Sequence, residues 1–259
     1  MPDDTSDEVW SPKGSADAPF NREMRKATRD IHAVSDALVN GKLALALSDN
    51  SVWADGLLVF YEIFRYLEEA MDRLRDKPLG ELRIEGMERT QAFEADLKYY
   101  LGEDWASSYT PRASVASYLH HLMELEENDP DLLIAYVYHL YMGLLSGGQI
   151  LRKKRQLLNR FPVLAGNKKT RSGGDAVSDF GGRSIYQMKK DLVAALNSVV
   201  AQFSEEKKKS ILEESRTVFE LNNTLVRSVK GVTQVILRNL AFFLAFIFML
   251  YMLFKLFMF

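Results

Sequence analysis

Four histidines and one glycine-rich stretch carry most of the groups in this sequence that could perform chemistry. The chain contains no cysteine, so thiol catalysis, disulfides and thiolate metal ligands are excluded and a bound metal would need nitrogen or oxygen ligands. A di-iron carboxylate site needs a glutamate three residues before a ligand histidine, so that both reach one metal from one helix face. No histidine here has one, which excludes that site; HExxH zinc proteases are excluded as well. The histidines are His32, His120, His121 and His139.

His32 is a candidate metal ligand. Asp36 follows it by four residues, and on a helix its carboxylate would hold one ring nitrogen and leave the other for the metal. Neutral imidazole is the commonest proximal ligand of heme iron. The same helix face carries Arg25, Thr28 and Arg29, and a histidine on a polar face is usually only solvated. The spacing therefore permits the site without establishing it.

The run from Tyr138 to Gln149 is unusually rich in glycine for a predicted helix. Each glycine costs a helix interior about 1 kcal/mol relative to alanine, so three of them within six residues need an offsetting gain. Gly143 and Gly147 are four residues apart and share one helix face, which leaves a bare strip of backbone. That strip suits either a closely packed neighbouring helix or a flat ligand laid against the backbone at a kink.

Helices must position these residues, because apolar residues recur with helical spacing and no long stretch alternates with period two. We therefore predict an all-α fold with a single multi-helix domain. Residues 165–183 contain five glycines and little apolar content, which predicts a loop. The predicted helices are 21–38, 51–74, 82–100, one that follows Thr110-Pro111, 131–159, one from Tyr186 and a last one capped by Ser204.

The two ends of the chain differ sharply in character. Residues 1–19 are acidic and contain three prolines, which predicts a solvated leader. Residues 240–254 contain no charged side chain, and twenty helical residues span about 30 Å, the thickness of a bilayer core. A buried core helix is the alternative, but such a helix normally keeps a polar face. We predict a leader at 1–19, the helical domain at 20–230, a basic juxtamembrane linker at 231–239 and a C-terminal transmembrane helix at 240–259.

The net charge of the chain and its basic residues near the apolar segment indicate which classes of partner to expect. The formal net charge is −2, which gives no global reason to expect a nucleic-acid partner. Arg227, Lys230 and Arg238 precede the apolar segment, and basic flanks favour the cytosolic side of a membrane. Membrane lipid is therefore a predicted partner of the tail.

Taken together, several motifs resemble those of the heme oxygenase family. The similarity runs in order from about residue 20 to residue 230, and the C-terminal tail is similar to that of the microsomal, anchored members. The motifs are Thr28 to His32, Tyr109-Thr110-Pro111, Asp129 to Leu133, Tyr138 to Gln149, which ends in Leu-Ser-Gly-Gly-Gln, and Phe219 to Asn222.

The resemblance implies that heme is both substrate and prosthetic group, held between two helices with His32 as axial iron ligand. Gly143, Ser146 and Gly147 would form the distal, catalytic side. The implied reaction uses dioxygen (O2) and electrons from NADPH through a cytochrome reductase, and gives biliverdin, carbon monoxide and ferrous iron. The residues implied to contact heme or its propionates are Arg25, Asp36, Tyr138, Gly143, Gly147, Lys189, Phe219 and Asn222.

The resemblance also implies partners and a location. The chain would lie on the cytosolic face of the endoplasmic reticulum membrane, with the reductase as partner and biliverdin reductase as a further candidate. The run Arg152 to Arg155 could dock the acidic reductase, although cations late in a helix are also favoured by its dipole and by water.

Three positions depart from the family pattern. Leu144 replaces the distal aspartate, as in an insect-like variant, and an alkyl side chain can neither hold the family's distal water nor donate a proton. Val193 stands where a basic residue is expected, and Phe64 where a tyrosine is expected. We therefore expect slow turnover and a mixture of biliverdin isomers. The alternatives are a membrane-anchored heme-binding or heme-sensing protein without efficient turnover, and a helical scaffold that binds no heme.

Overall fold

The computed structural model describes residues 19–39, 49–159 and 173–258, and every regular element in these ranges is helical, which confirms the predicted fold class. Apart from Pro19, the predicted leader lies outside the described residues, as does the part of the predicted loop before residue 173. The α-helices are α1 Phe20–Ala27, α2 Arg29–Leu38, α3 Asn50–Arg73, α4 Thr90–Leu101, α5 Trp105–Ser108, α6 Ala113–Asn128, α7 Leu133–Gly143, α8 Gln149–Asn159, α9 Ile185–Val200, α10 Glu205–Ser228 and α11 Val232–Met258.

The first predicted helix is in fact two. Thr28 separates α1 from α2, with φ of −108°, and its hydroxyl donates a hydrogen bond of 2.8 Å to the carbonyl of Met24. A threonine hydroxyl that bonds to the backbone competes with regular helix geometry. The break lets α1 pack on α9 and α10 while α2 packs on α10.

The start of α4 is set by a residue of another helix. The prediction of a helix from residue 82 was wrong, since α4 begins at Thr90. The Glu68 carboxylate, on α3, accepts hydrogen bonds from the Thr90 N–H at 3.2 Å and from its hydroxyl at 2.6 Å. It therefore caps donors that the first turn of a helix leaves unsatisfied. The helix predicted to follow Thr110-Pro111 also starts slightly later than expected, because α6 begins at Ala113.

The centre of the domain is α10. Ser204 caps it by accepting from the Lys207 N–H at 3.2 Å, as predicted. α10 packs against α1, α2, α3, α6 and α7. Its core-facing residues are Ile211, Ser215, Val218, Asn223, Leu225 and Val226.

The predicted helix 131–159 is interrupted at its glycines. A 3₁₀ turn at Pro130–Leu132 leads into α7, and a π turn at Leu144–Gly148 separates α7 from α8. A π turn widens the helix by one residue and is often found at functional sites. The helix is therefore irregular at the glycines, and the irregularity is a π turn.

The C-terminal helix begins earlier than the predicted anchor. α11 runs without a break from Val232, so the predicted linker 231–239 and the predicted anchor lie mostly in one helix. Val232 and Val235 are 3% and 4% exposed and belong to the core of the domain, while the residues from Leu237 to Met258 are exposed. α11 is long and apolar enough to cross a membrane by length and composition, which is compatible with a membrane anchor.

Candidate functional site

The candidate site is the region between α2 and α7, which both pack on α10; we call this region the cleft and α10 its floor. Phe219 on α10 contacts a ring from each side: its centroid lies 5.4 Å from that of His32 on α2 and 5.0 Å from that of His139 on α7. The fold therefore brings together the predicted iron ligand, the predicted floor residue Phe219 and the helix that carries the glycines.

His32 lies on the cleft side of α2 with one ring nitrogen already held. Its Nδ1 lies 3.0 Å from Oδ2 of Asp36, one turn further along the helix, as the spacing predicted. A hydrogen bond from Nδ1–H to the carboxylate orients the ring and leaves Nε2 as the nitrogen that can ligate a metal. The His32 side chain is 56% exposed, so Nε2 belongs to an accessible ring suited to ligate a metal.

The glycine strip faces open space. A Cβ added at Gly143 or at Gly147 would meet no atom within 4 Å, and both residues are exposed. The alternative of a closely packed neighbouring helix is therefore excluded for the described residues, and the flat-ligand alternative remains. Gly148 differs, because a Cβ there would lie 2.9 Å from the Cδ1 of Leu144, whose side chain is half-buried against the core. Ser146 lies between these glycines, half-buried in the π turn.

Arg25 on α1 lies close enough to Tyr138 on α7 for its charge to act on the phenol. Tyr138 is buried, which raises its pKa to about 12, while the Arg25 charge and a hydrogen bond with Asn21 act in the opposite direction. Lys189 is half-buried on α9, which packs against α1 and α7. Asn222 has its Oδ1 occupied by the hydroxyl of Tyr118, which donates at 3.1 Å.

His139 is a site residue that sequence reasoning missed. Its Nε2 is buried and has no hydrogen-bond partner, and its pKa is lowered to about 3, first by desolvation and then by the nearby His32. The ring is therefore neutral at physiological pH and carries an unsatisfied nitrogen. The available signal was position, because His139 precedes Gly143 by four residues and so shares its helix face.

Replacing His139 with leucine is expected to stabilise the heme-free protein and to flatten its acid response. The unfolded chain protonates this histidine near its ordinary pKa of 6.5 and the folded chain only near 3, so stability falls as the pH drops through that window. The slope is at most about 1.4 kcal/mol per pH unit, and removal of the orphaned nitrogen adds about 1–3 kcal/mol at neutral pH.

Urea unfolding of the full chain between about pH 7 and pH 5.5, above the range where ordinary carboxylates titrate, measures both effects of His139→Leu. His120→Leu is the control, because the side chain of His120 is 73% exposed. An unchanged slope in His139→Leu would show that this ring is not held neutral by burial.

Two of the four cations in Arg152 to Arg155 face inward. The Arg152 guanidinium pairs with Asp175 at 3.1 Å. Arg155 is 5% exposed, lies over the Trp53 ring at 4.7 Å and donates to Asn50. The prediction that the whole run could dock a reductase is therefore corrected for the two arginines, and Lys153 and Lys154 remain exposed.

The other two departures lie on elements that border the site. Phe64 is buried, with its ring centroid 5.3 Å from that of Tyr141 in an edge-to-face contact. A phenol at this position would need a hydrogen-bond partner, which a phenyl ring does not. Val193 is half-buried on α9 and packs against the core.

Comparison with known proteins identifies the family of the chain. The family model for heme oxygenase matches residues 18–228. The chain belongs to the heme oxygenase family. A heme oxygenase of Takifugu rubripes is 28% identical over 224 residues, which cover 84% of this chain and 76% of that protein. The chain is therefore a member of a family of heme-degrading enzymes.

Solved structures of the family have the same fold. The heme-free crystal structure of heme oxygenase 2 from Chlamydomonas reinhardtii matches with a TM-score of 0.71 and 29% identity, over 82% of this chain and 98% of that chain. Heme oxygenase-1 from Synechocystis sp. PCC6803, in complex with heme, matches with a TM-score of 0.76 and 23% identity, over 88% of this chain and all of that one. The second likeness concerns the fold alone.

Proposed function

We propose that this heme oxygenase opens heme to biliverdin, carbon monoxide and ferrous iron, using O2 and electrons delivered from NADPH by a cytochrome reductase. The observation that carries the proposal is the open glycine strip that follows His139, whose ring contacts Phe219 as the ring of His32 does. A flat macrocycle fits between a bare backbone and an imidazole whose second nitrogen is already held. The orphaned Nε2 of His139 adds a polar atom that a bound molecule can satisfy.

Each site residue has a distinct part in this proposal. His32 ligates the iron through Nε2, and Asp36 fixes the orientation of the ring. Gly143 and Gly147 admit the macrocycle to the backbone, with Ser146 beside it, while Phe219 and Asn222 line the floor. Arg25, Tyr138 and Lys189 hold the propionates, since charge-assisted hydrogen bonds to carboxylates are strong. When bound, heme supplies the iron at which O2 is reduced.

Leu144 limits the reaction that we propose. Its alkyl side chain is half-buried beside Gly148 and can neither hold a water molecule nor move a proton on the distal side. Oxygen activation is then slow, and attack is spread over several meso carbons. Val193 carries no charge that could fix the orientation of the macrocycle. This adds to the expected mixture of biliverdin isomers. We place the enzyme on the cytosolic face of the endoplasmic reticulum membrane, anchored by α11.

Hemin titration followed by reduction tests this function. We expect a Soret shift on binding, and slow bleaching with release of iron and several biliverdin isomers once reductase and NADPH are added. Leu144→Asp should raise the rate and the share of the alpha isomer, because a carboxylate can hold distal water and relay protons. Two results together would contradict the role given to Leu144. Product chromatography would show only the alpha isomer from the unaltered chain, and Leu144→Asp would turn over no faster than that chain.

A heme-binding or heme-sensing protein without efficient turnover is the second candidate function. The replacement of a proton-relaying residue by Leu144 is the observation that favours it. It predicts the same Soret shift, but a stable band after reductase and NADPH are added. Biliverdin release decides between the two.

A further inference from the structure

α2 carries the proposed iron ligand, yet none of its ten described residues is buried. The preceding helix α1 is anchored in the core by Phe20 and Met24, which are 7% and 0% exposed. Thr28, at the break between the two helices, is 2% exposed. Burial of an apolar face is what usually holds a helix on a domain, so α2 needs another attachment to fix the position of His32.

Arg216 on α10 supplies an attachment at the first turn of α2. Its two terminal nitrogens donate to the two carboxylate oxygens of Asp30, at 2.8 Å and 2.9 Å. One of these nitrogens also donates to the carbonyl of Ala27, the last residue of α1, at 2.8 Å. A bidentate pair between arginine and a carboxylate fixes direction as well as distance. Arg216 therefore bridges the two helices on either side of the break at Thr28.

A second contact joins the same two helices further along. Phe219 follows Arg216 by three residues on α10, and its ring centroid lies 5.4 Å from that of His32. Residues three apart are neighbours on a helix surface, so α10 holds α2 at two adjacent points. Within the described residues, Arg216 is the only ion-pair partner that α2 has on another helix. The remaining ion pair of α2, between His32 and Asp36, lies within the helix.

We propose that Arg216 is a positioning residue for the iron ligand. Its bidentate pair with Asp30 and its hydrogen bond to α1 set the direction of α2, and through α2 the place of the His32 ring. The proposal rests on the assignment of His32 as iron ligand under the proposed function. The hydrogen bond from Arg216 lowers the pKa of Asp30, so this carboxylate is charged at neutral pH. The side chains of Arg216 and Asp30 are 42% and 69% exposed, so the pair adds little to global stability and acts on local position.

Hydrogen exchange of the heme-free full chain in detergent measures the attachment of α2. A helix of ten residues that leaves its support is marginal in water, so detachment exposes its amides. In Arg216→Gln we expect the amides of residues 29–38 to exchange about two- to fivefold faster, the range given by a typical exposed ion pair. The amides of α3 and α9 should exchange as in the unaltered chain, and the thermal midpoint should change little.

A double-mutant cycle assigns the effect to the pair. Asp30→Asn should act like Arg216→Gln, and the double variant should exchange no faster than either single variant, because each removes the same contact. The matched control is Lys209→Gln, also on α10, whose exposed pair with Glu213 at 3.7 Å involves no other helix. It should leave the exchange of α2 unchanged.

Salt provides an independent check of the same contact. Raising the salt concentration from about 0.05 M to about 1 M screens exposed charges. It should therefore accelerate the exchange of α2 in the unaltered chain and have little effect in Arg216→Gln.

The ferrous heme complex gives a readout that loss of stability alone would not change. The resonance Raman band of the bond between iron and the His32 imidazole should broaden in Arg216→Gln, because a helix that pivots presents the ring at several tilts. Lys209→Gln should keep the band of the unaltered chain. If Arg216 served only general stability, the molecules that remain folded would show an unaltered band.

Unchanged exchange of residues 29–38 in Arg216→Gln would overturn the proposal. Equal acceleration throughout the chain would also overturn it, as would additive effects of Arg216→Gln and Asp30→Asn. Faster exchange with an unaltered Raman band would show that Arg216 holds α2 without positioning His32. A missing Soret shift in the unaltered chain would contradict the proposed function and leave the exchange result standing, so the two failures are distinguishable.

Discussion

Loss of axial imidazole ligation in the ferric heme complex is the expected result of replacing His32 with alanine. Asp36 holds Nδ1 at 3.0 Å, so Nε2 of His32 is the nitrogen prepared for the iron. Removing an outer partner of a metal ligand typically weakens binding by about 10–100-fold, and removing the ligand itself should have a larger effect. Hemin titration followed in the Soret region measures the change, and added imidazole should restore part of the spectrum.

The fold should tolerate this substitution, because the His32 side chain is 56% exposed and surface changes usually alter stability by less than about 0.5 kcal/mol. His120→Ala is the matched control, since that histidine is also exposed and lies on α6, away from the cleft. Asp36→Asn should give an intermediate loss. An unchanged spectrum in His32→Ala would contradict the assignment, and His139, the other imidazole in contact with Phe219, would then be the residue to replace.

Replacing Gly143 or Gly147 with alanine is expected to leave the heme-free protein at least as stable as the unaltered chain. The same replacement should weaken heme binding. A Cβ at either position meets nothing within 4 Å, so the helix gains up to about 1 kcal/mol from the better helix former. A methyl group pushed into a filled cleft costs about 1–3 kcal/mol, or roughly 5- to 150-fold in affinity. A larger side chain such as leucine should abolish binding.

Thermal unfolding of the heme-free protein and hemin titration measure these two opposite effects. Gly56→Ala is the control, because an added Cβ there also meets nothing within 4 Å while the residue lies on α3 rather than on the strip. It should raise stability without any change in heme affinity. If the alanines at 143 and 147 bound heme as tightly as the unaltered chain, the flat ligand would have to lie elsewhere.

The sequence by itself determined the features that depend on local periodicity. Helical spacing of apolar residues predicted the all-α fold, and Ser204 was recognised as a cap because capping needs only a side-chain oxygen just before the first turn. The pairing of His32 with Asp36 followed from one turn of helix, and the apolar tail from composition alone. The candidate residues of the cleft therefore came largely from spacing and from the family resemblance.

Only the tertiary structure decided the features that depend on residues distant in the sequence. Glu68 sets the start of α4 from another helix, and no local pattern carries that information. The spacing of Gly143 and Gly147 fitted a packed helix as well as a flat ligand until the space beside them was seen to be open. The sequence suggested that Arg155 is a surface cation, but the structure shows it buried over Trp53. His139 looked like an ordinary histidine, but its Nε2 is buried without a hydrogen-bond partner. Burial and open space arise from the packing of several helices at once, so they cannot be read from the spacing within any one of them.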